Sequence, residues 1–285
     1  MPDSPRVSVV VPAYNHAAYV GETLRSIASQ TYPNIEIVVV DDGSCDATAD
    51  IAEQTLANSG RPHRLIRQSN QGAHVALNRG LAEATGDYLT ILNSDDLFHP
   101  ERIAKLVEAA RTSRANWLFT SITHFARRMP KTGRAGRLLD EYRASTYLAR
   151  SFPTIGFELL RYNYVVTTGN LFFTRSHRES VGEFRPLRIC HDWDFILRSL
   201  ARSEPVWIDE PLLRYRLHES NTVTSPEGIE QGAHEGVEVL RNYFEQVREP
   251  ANPQAPCRSN WAAYWPYFCR TWMSYLPSEF APHVG

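Results

Sequence analysis

Three places in this 285-residue chain set two aspartates within two positions of each other: Asp41-Asp42, Asp95-Asp96, and Asp192 with Asp194. The second pair directly follows Tyr88-Leu89-Thr90-Ile91-Leu92, an apolar, β-branched run that predicts a buried strand. Side chains alternate along a strand, so Asp95 and Asp96 are expected to point different ways and do different work. Paired carboxylates at the carboxyl end of a strand suit a hard divalent cation, and such a cation suits a diphosphate. An N-cap plus a solvated acid is the plainer alternative. Asp41-Asp42 precedes Gly43-Ser44 at the end of another apolar run. Acids there serve as turn formers or caps, or accept hydrogen bonds from a ribose or a base. Asp192 and Asp194 open an amphipathic stretch, where the helix dipole favours negative charge.

Alternating elements must position these groups. Strands are predicted at 7–11, 35–40, 65–67 and 88–92, with helices at 18–30, 46–59 and 75–84 between them. Leu97 to Glu101 is expected to open a further helix, with Pro100 in its first turn. This alternation argues for a mostly parallel α/β sheet with right-handed crossovers. Trp117–Ile122 reads as a fifth strand, 165–174 as another with a bulge at Gly169-Asn170, and 206–208 and 212–218 as two more. Helices are predicted at 191–200 and 227–245, and the aromatic stretch 261–276 as a last helix or packing arm. Arg79 reads from its residue type as a solvated surface charge. The basic run 127–143 reads as a solvated loop, a mobile flap near the substrates, or a contact for anionic lipid headgroups.

Composition excludes several classes. The net charge of −2 gives no reason to expect nucleic acid as a partner. The four cysteines are scattered without a CxxC pair, as expected of reduced thiols in a cytosolic protein. The first residues do not form a signal peptide, and no apolar run is long enough to span a membrane, so any membrane contact is expected to be peripheral. The first turn lacks G-x-G-x-x-G, which counts against a dinucleotide-binding oxidoreductase.

Taken in order, several short motifs resemble glycosyltransferase family 2 on the GT-A fold. They are Val9-Val10-Val11-Pro12-Ala13-Tyr14-Asn15, Val39-Val40-Asp41-Asp42-Gly43-Ser44, and Asn70-Gln71-Gly72 with Asn78-Arg79-Gly80. Further on come Gly86-Asp87-Tyr88 leading to Asn93-Ser94-Asp95-Asp96, then His191-Asp192-Trp193-Asp194 with Leu197-Arg198, and Tyr215-Arg216-Leu217-His218. The likeness covers about residues 7–220. It implies a GT-A domain over 1–222, with a nucleotide-sugar half at 1–122, an acceptor and base half at 123–222, and a helical C-terminal extension at 223–285.

The resemblance also implies a nucleotide-sugar donor, Mn²⁺ or Mg²⁺, and inverting transfer of one sugar to a sugar or lipid-linked acceptor, in bacterial cell-surface polysaccharide or glycoconjugate synthesis. By position, Pro12 and Tyr14 would line the nucleotide pocket, Asp42 would bond the base with Asp41 nearby, and Arg79 would lie near the donor. Asp95 would face the ribose and Asp96 would hold the metal. Asp192 would be the general base, and His218 would reach the metal or diphosphate. A carboxylate at Asp42 can accept a ring N–H of uracil or thymine, which favours a UDP-linked donor. The chain departs from the family by having His191 where an acid commonly precedes the base. The Gln-x-x-Arg-Trp element and membrane spans of processive synthases are not found, which favours single addition. Two other classes compete: a nucleotidyltransferase, which would want a Gly-rich basic loop after the first strand, and a non-catalytic module that keeps the fold.

Overall fold

The computed structural model describes residues 4–126, 133–218, 221, 225–248, 250–277, 280 and 283. The chain forms two compact units that interleave along the sequence. Met1–Met129, Val165–Arg188 and Val206–His218 make the first, and Pro130–Tyr164, Ile189–Pro205 and Glu219–Gly285 the second.

The first unit is built on an eight-stranded sheet. Its strands are β1 (Val7–Ala13), β2 (Ile35–Asp41), β3 (His63–Arg67), β4 (Tyr88–Ile91), β5 (Leu97–Phe98), β6 (Trp117–Phe125), β7 (Phe172–Thr174) and β8 (Val206–Arg216), in the order β3-β2-β1-β4-β7-β6-β8-β5. β1 pairs in parallel with β2 on one side and β4 on the other, and β3 extends the parallel half beyond β2. β7 runs antiparallel to β4 and β6, and β5 antiparallel to β8, while β6 and β8 are parallel. Strands β1 and β2 are buried along nearly their whole length, as expected of central parallel strands covered on both faces. The crossovers are α1 (Val20–Ala28), α2 (Thr48–Ala57) and α3 (Ala73–Glu83), followed by α4 (Arg102–Ser113). Gly80 lets α3 approach the sheet. A Cβ there would stand 2.4 Å from Val10 Cγ1, closer than atoms pack.

The order reverses at β1, whose neighbours β2 and β4 lead the chain in opposite directions across the sheet. In open α/β sheets ligands bind outside the carboxyl ends of strands at such a switch point. Ala13 is level with Asp41, and Val10 with Ile91. The loops after these three strands, residues 14–19, 42–47 and 92–96, therefore share one edge.

Several elements differ from their sequence expectations. Leu97-Phe98 pairs with Arg214 and Leu213 as a short strand, and the helix starts at Arg102. Residues 168–170 form a 3₁₀ turn before β7. The two strands expected over 206–218 are one, with a register irregularity opposite Thr120–Ile122.

The second unit is helical: α5 (Gly133–Ala149), α6 (Ile155–Arg161), α8 (His191–Leu200), α9 (Pro226–Gln246) and α10 (Trp265–Trp272), with α7 (Arg175–Val181) belonging to the first unit. Its core is aromatic. Phe157 meets Trp261, Tyr264 and Phe268, and Phe244 meets Trp265 and Phe280. In the basic run, residues 133–143 are helical, which corrects the loop reading there, while Arg127, Arg128 and Lys131 lie outside the described residues. No helix of the described residues is long and apolar enough to cross a membrane.

Candidate active site

The edge at β1, β2 and β4 collects one cluster of titratable groups. Asp95 Oδ2 lies 2.9 Å from His218 Nε2 and 4.0 Å from His16 Nε2. Three atoms able to ligate a metal, one from each residue, lie within 4.8 Å of one another. His16 Nδ1 is 2.7 Å from Ser94 Oγ, which leaves Nε2 toward Asp95. Burial lowers the His16 pKa against the opposing pull of Asp95, and the neutral imidazole is the form that ligates metals. Tyr19 lies against His218, with ring centroids 4.8 Å apart.

Asp95, expected at the ribose, is thus the acid that meets the imidazoles. Asp96, expected at the metal, is fully buried and serves the backbone. Its Oδ1 accepts the Arg216 N–H at 2.8 Å, and its Oδ2 is buried without a partner among the described residues. Burial, and next the charge of Asp95, push the Asp96 carboxyl well above the usual range. The Arg216 side chain donates to the Asp95 carbonyl at 2.6 Å and to Glu22 at 2.7 Å. Thr23 Oγ1 donates to the carbonyls of Ser94 and Asp96, both at 2.9 Å. Asn93 is gripped by Thr167 and Thr168 on the 3₁₀ side. The strand end that carries Asp95 is therefore fixed from several directions, and the Arg216 contacts bring the end of β8, and His218 with it, to Asp95.

The second acid pair divides differently from expectation. Asp42, expected at the base, has both oxygens engaged. Oδ1 takes Gln68 Nε2 and the Gln71 N–H at 2.8 and 2.9 Å, and Oδ2 takes the Gly72 N–H at 2.9 Å. Asp41 accepts the Ser44 N–H with Oδ2 at 3.2 Å, while its Oδ1 is buried without a partner among the described residues. Gly43, at φ +74°, makes this turn possible, since a Cβ there would stand 2.7 Å from the Asn70 nitrogen. Arg79 is exposed and donates to Gln68 Oε1 at 3.2 Å, so Gln68 joins it to Asp42. Pro12 lies half-buried near the end of β1, and Tyr14 just beyond it is exposed.

In the second unit, α8 carries Asp192 and Asp194, both buried. Asp194 Oδ2 binds Arg198 Nε and Nη2 at 2.8 and 2.7 Å, an ion pair one helical turn apart. Among the described residues no Arg or Lys bridges Asp192. Its Oδ2 accepts Asn163 Nδ2 at 2.9 Å and its Oδ1 the Trp193 N–H at 2.7 Å. Burial raises the Asp192 pKa, opposed by His191 and by these hydrogen bonds.

Sequence reasoning passed over His16, Thr23, Gln68 and Asn163. His16 stands one residue beyond the Pro-Ala-Tyr-Asn stretch, and an imidazole in a loop after the first strand was the available signal. The other three offer none, because their importance lies in partners far along the chain.

A sheet of this order, with acids and imidazoles on its switch-point edge, defines the GT-A class of glycosyltransferase. The family model for glycosyl transferase family 2 matches residues 8–179, and the chain belongs to that family. EpsH, a proposed glycosyltransferase of Bacillus subtilis (strain 168), is 30% identical over 227 residues, covering 78% of this chain and 63% of its own. TuaG of the same strain, a proposed teichuronic acid biosynthesis glycosyltransferase, is 35% identical over 122 residues, covering 43% and 48%. The chain thus spans less than two thirds of the length of either relative. Among solved structures, S. aureus TarS 1–349 in complex with UDP-GlcNAc superposes with a TM-score of 0.65 at 18% identity, over 97% of this chain and 78% of that one. The Pyrobaculum calidifontis mannosyltransferase PcManGT, in complex with GDP-Man and Mn²⁺, gives 0.58 at 19% identity, over 87% and 75%.

Proposed function

We propose that the chain is a metal-dependent, inverting glycosyltransferase that moves one sugar from a UDP-linked donor to an acceptor hydroxyl. The observation that carries this is the cluster of His16, Asp95 and His218 on the switch-point edge. Two imidazole nitrogens and a carboxylate fit a first-row divalent ion, and they suit Mn²⁺ better than Mg²⁺, which prefers oxygen. When bound, the cation supplies Lewis-acid stabilisation to the departing nucleoside diphosphate.

The chain's own groups divide the remaining work. Asp41, with a free oxygen, accepts the ring N–H of uracil, and Asp42 holds the Gln68–Gly72 turn. Pro12 and Tyr14 line the nucleotide and Arg79 lies near the donor. Asp192 takes the proton from the acceptor hydroxyl as it attacks the anomeric carbon. The engagement of Asp194 by Arg198 supports Asp192 as the base. In chain order, 1–122 serves the nucleotide sugar, 123–222 the acceptor and base, and 223–285 is a helical extension. The UDP assignment is supported by TarS, solved with UDP-GlcNAc and with UDP. A cell-surface polymer as product is supported by the likeness to TuaG. We place the enzyme in the cytoplasm, with the basic residues of 127–143 offered to anionic lipid at the inner membrane face.

The test is calorimetric binding of UDP-, dTDP- and GDP-sugars with Mn²⁺, Mg²⁺ or chelator, followed by release of nucleoside diphosphate with acceptor present. UDP-sugar binding that needs Mn²⁺ is expected. Equal binding in chelator, or a preference for GDP, overturns the corresponding part.

A further inference from the structure

The N-cap residue of helix α8, which carries Asp192, is Cys190, and it supplies no side-chain cap. The first N–H groups of a helix need outside acceptors. In a capping box, an acid three residues into the same helix reaches back to the N-cap N–H. That position here is Trp193, which cannot accept.

Glu235, on α9, does so instead. Its Oε2 accepts the N–H groups of both Ile189 and Cys190 at 2.8 Å, and Gln231 Nε2 holds its Oε1 at 2.9 Å. Glu235 is 5% exposed, deep for a carboxylate. Its negative charge also sits at the positive end of the α8 dipole. The face of α9 around it is shaped to receive the turn. A Cβ on Gly232 would stand 3.2 Å from Ile189 Cγ2, and one on Gly236 3.3 Å from Trp193 Cζ3. Cys190 Sγ lies 3.4 Å from the Gly232 carbonyl oxygen. Gly232, Glu235 and Gly236 fall on one helical face, so that face receives residues 189–193 closely.

We propose that Glu235 is a positioning residue for the general base, and that α9 is thereby part of the transfer machinery. This rests on the reading of Asp192 as the base. Glu235 fixes the backbone entering α8, and Asn163 and the Trp193 N–H fix the carboxylate upon it. Misplacing a reacting group by about 1 Å can cost on the order of 10²-fold in rate.

The experiment compares the wild type with Glu235→Ala, Glu235→Gln, Asp192→Asn and the Asp192→Asn/Glu235→Ala double variant. Hydrogen exchange at amides 189–193 reads the turn directly, without substrate. Turnover is read as release of nucleoside diphosphate from UDP-glucose, UDP-N-acetylglucosamine or GDP-mannose with Mn²⁺ and water as acceptor. Calorimetry reads donor affinity and stoichiometry. Glu235→Ala is expected to speed exchange at 189–193 and lower kcat by roughly 10²-fold, with donor affinity and stoichiometry unchanged. Glu235→Gln keeps an acceptor oxygen and is expected to recover most of both. On the Asp192→Asn background, Glu235→Ala is expected to cost nothing further, because the group it positions is gone.

Wild-type exchange and kcat in Glu235→Ala, beside an inactive Asp192→Asn, overturn the proposal alone. A fall in donor stoichiometry that parallels the fall in kcat, or losses that multiply in the double variant, reduce Glu235 to general structure and also overturn it. Asp192→Asn turning over at the wild-type rate overturns the base assignment and the proposal with it.

Discussion

Replacing Asp192 by asparagine separates the chemistry of this side chain from its structural work. The carboxylate accepts Asn163 Nδ2 on one oxygen and the Trp193 N–H on the other. Asparagine has one oxygen and one NH₂ group, so one of those donors is left facing another donor. An unpaired buried donor costs about 1–3 kcal/mol. Even from a total stability of only ~5 kcal/mol, a 3 kcal/mol loss leaves roughly 97% of the protein folded. Removing a general base lowers turnover by about 10²–10⁴-fold. The expected fall is therefore far larger than any loss of folded enzyme. Single-turnover kinetics with saturating donor is the assay, with donor affinity expected near wild type. Asp194→Asn is the control. It leaves Arg198 buried without its acid, and breaking a buried pair costs roughly 3–5 kcal/mol, yet turnover per folded molecule is expected to hold. The pH profile adds a second reading. Burial raises the Asp192 pKa, and a base works only when ionised, so the wild-type rate is expected to fall on acidification at a pH above the ordinary carboxylate range. That limb disappears in Asp192→Asn. Stability runs the other way. A folded-state pKa above the unfolded one favours the fold below the unfolded pKa, and this contribution is lost as pH rises through the folded value. An inactive Asp194→Asn beside an active Asp192→Asn refutes the reasoning.

Four further outcomes are expected. Asp95→Asn and His218→Ala each lower Mn²⁺ affinity by at least about 10-fold in calorimetry; unchanged affinity in both removes the metal assignment. Asp41→Asn weakens UDP binding more than Asp42→Asn does, apart from any loss of stability in the latter; the reverse order in a folded Asp42→Asn returns the base contact to Asp42. Gly80→Ala forces a methyl against Val10 and destabilises by about 1–3 kcal/mol in denaturant titration; a neutral result means α3 shifts freely. Anionic vesicles slow hydrogen exchange over 133–143 while neutral vesicles leave it alone, and equal exchange with both ends the lipid assignment.

The parallel half of the sheet was legible because β1, β2 and β4 are apolar runs bounded by turn residues, a signal that lies within each segment. Other regions misled for the same local reason. Val165-Val166-Thr167-Thr168 has strand-like residues, yet the following Asn170 is claimed by a tertiary network. Its side chain accepts from Arg102 and Thr120 and donates to the carbonyls of Thr120 and Val165, folding 168–170 into a 3₁₀ turn. Pro100 suggested an earlier helix start, but Leu97-Phe98 has strand partners more than a hundred residues away. Charges hid α5, whose polar residues obscure a helical period. At the site, the acids stood out by type and adjacency. Which of each pair is free depended on donors from elsewhere: Arg216 for Asp96, and Gln68, Gln71 and Gly72 for Asp42. No local pattern announces those partners.

The meeting of His218 with Asp95 spans 123 positions of sequence, and the neighbouring Arg216–Asp96 bond spans 120. Contacts of such separation form late, because the loop-closure entropy must be met before they contribute. The order of synthesis sharpens the point. A growing chain displays Asp95 and Asp96 long before it contains Arg216 or His218. Until then the cluster has one of its two imidazoles and lacks the backbone donor that turns Asp96 inward. A nascent or truncated product that ends after residue 96 but before residue 216 thus carries Asp95 and Asp96 and still cannot assemble the three-residue cluster. The arrangement that gathers the cluster therefore withholds it from unfinished chains.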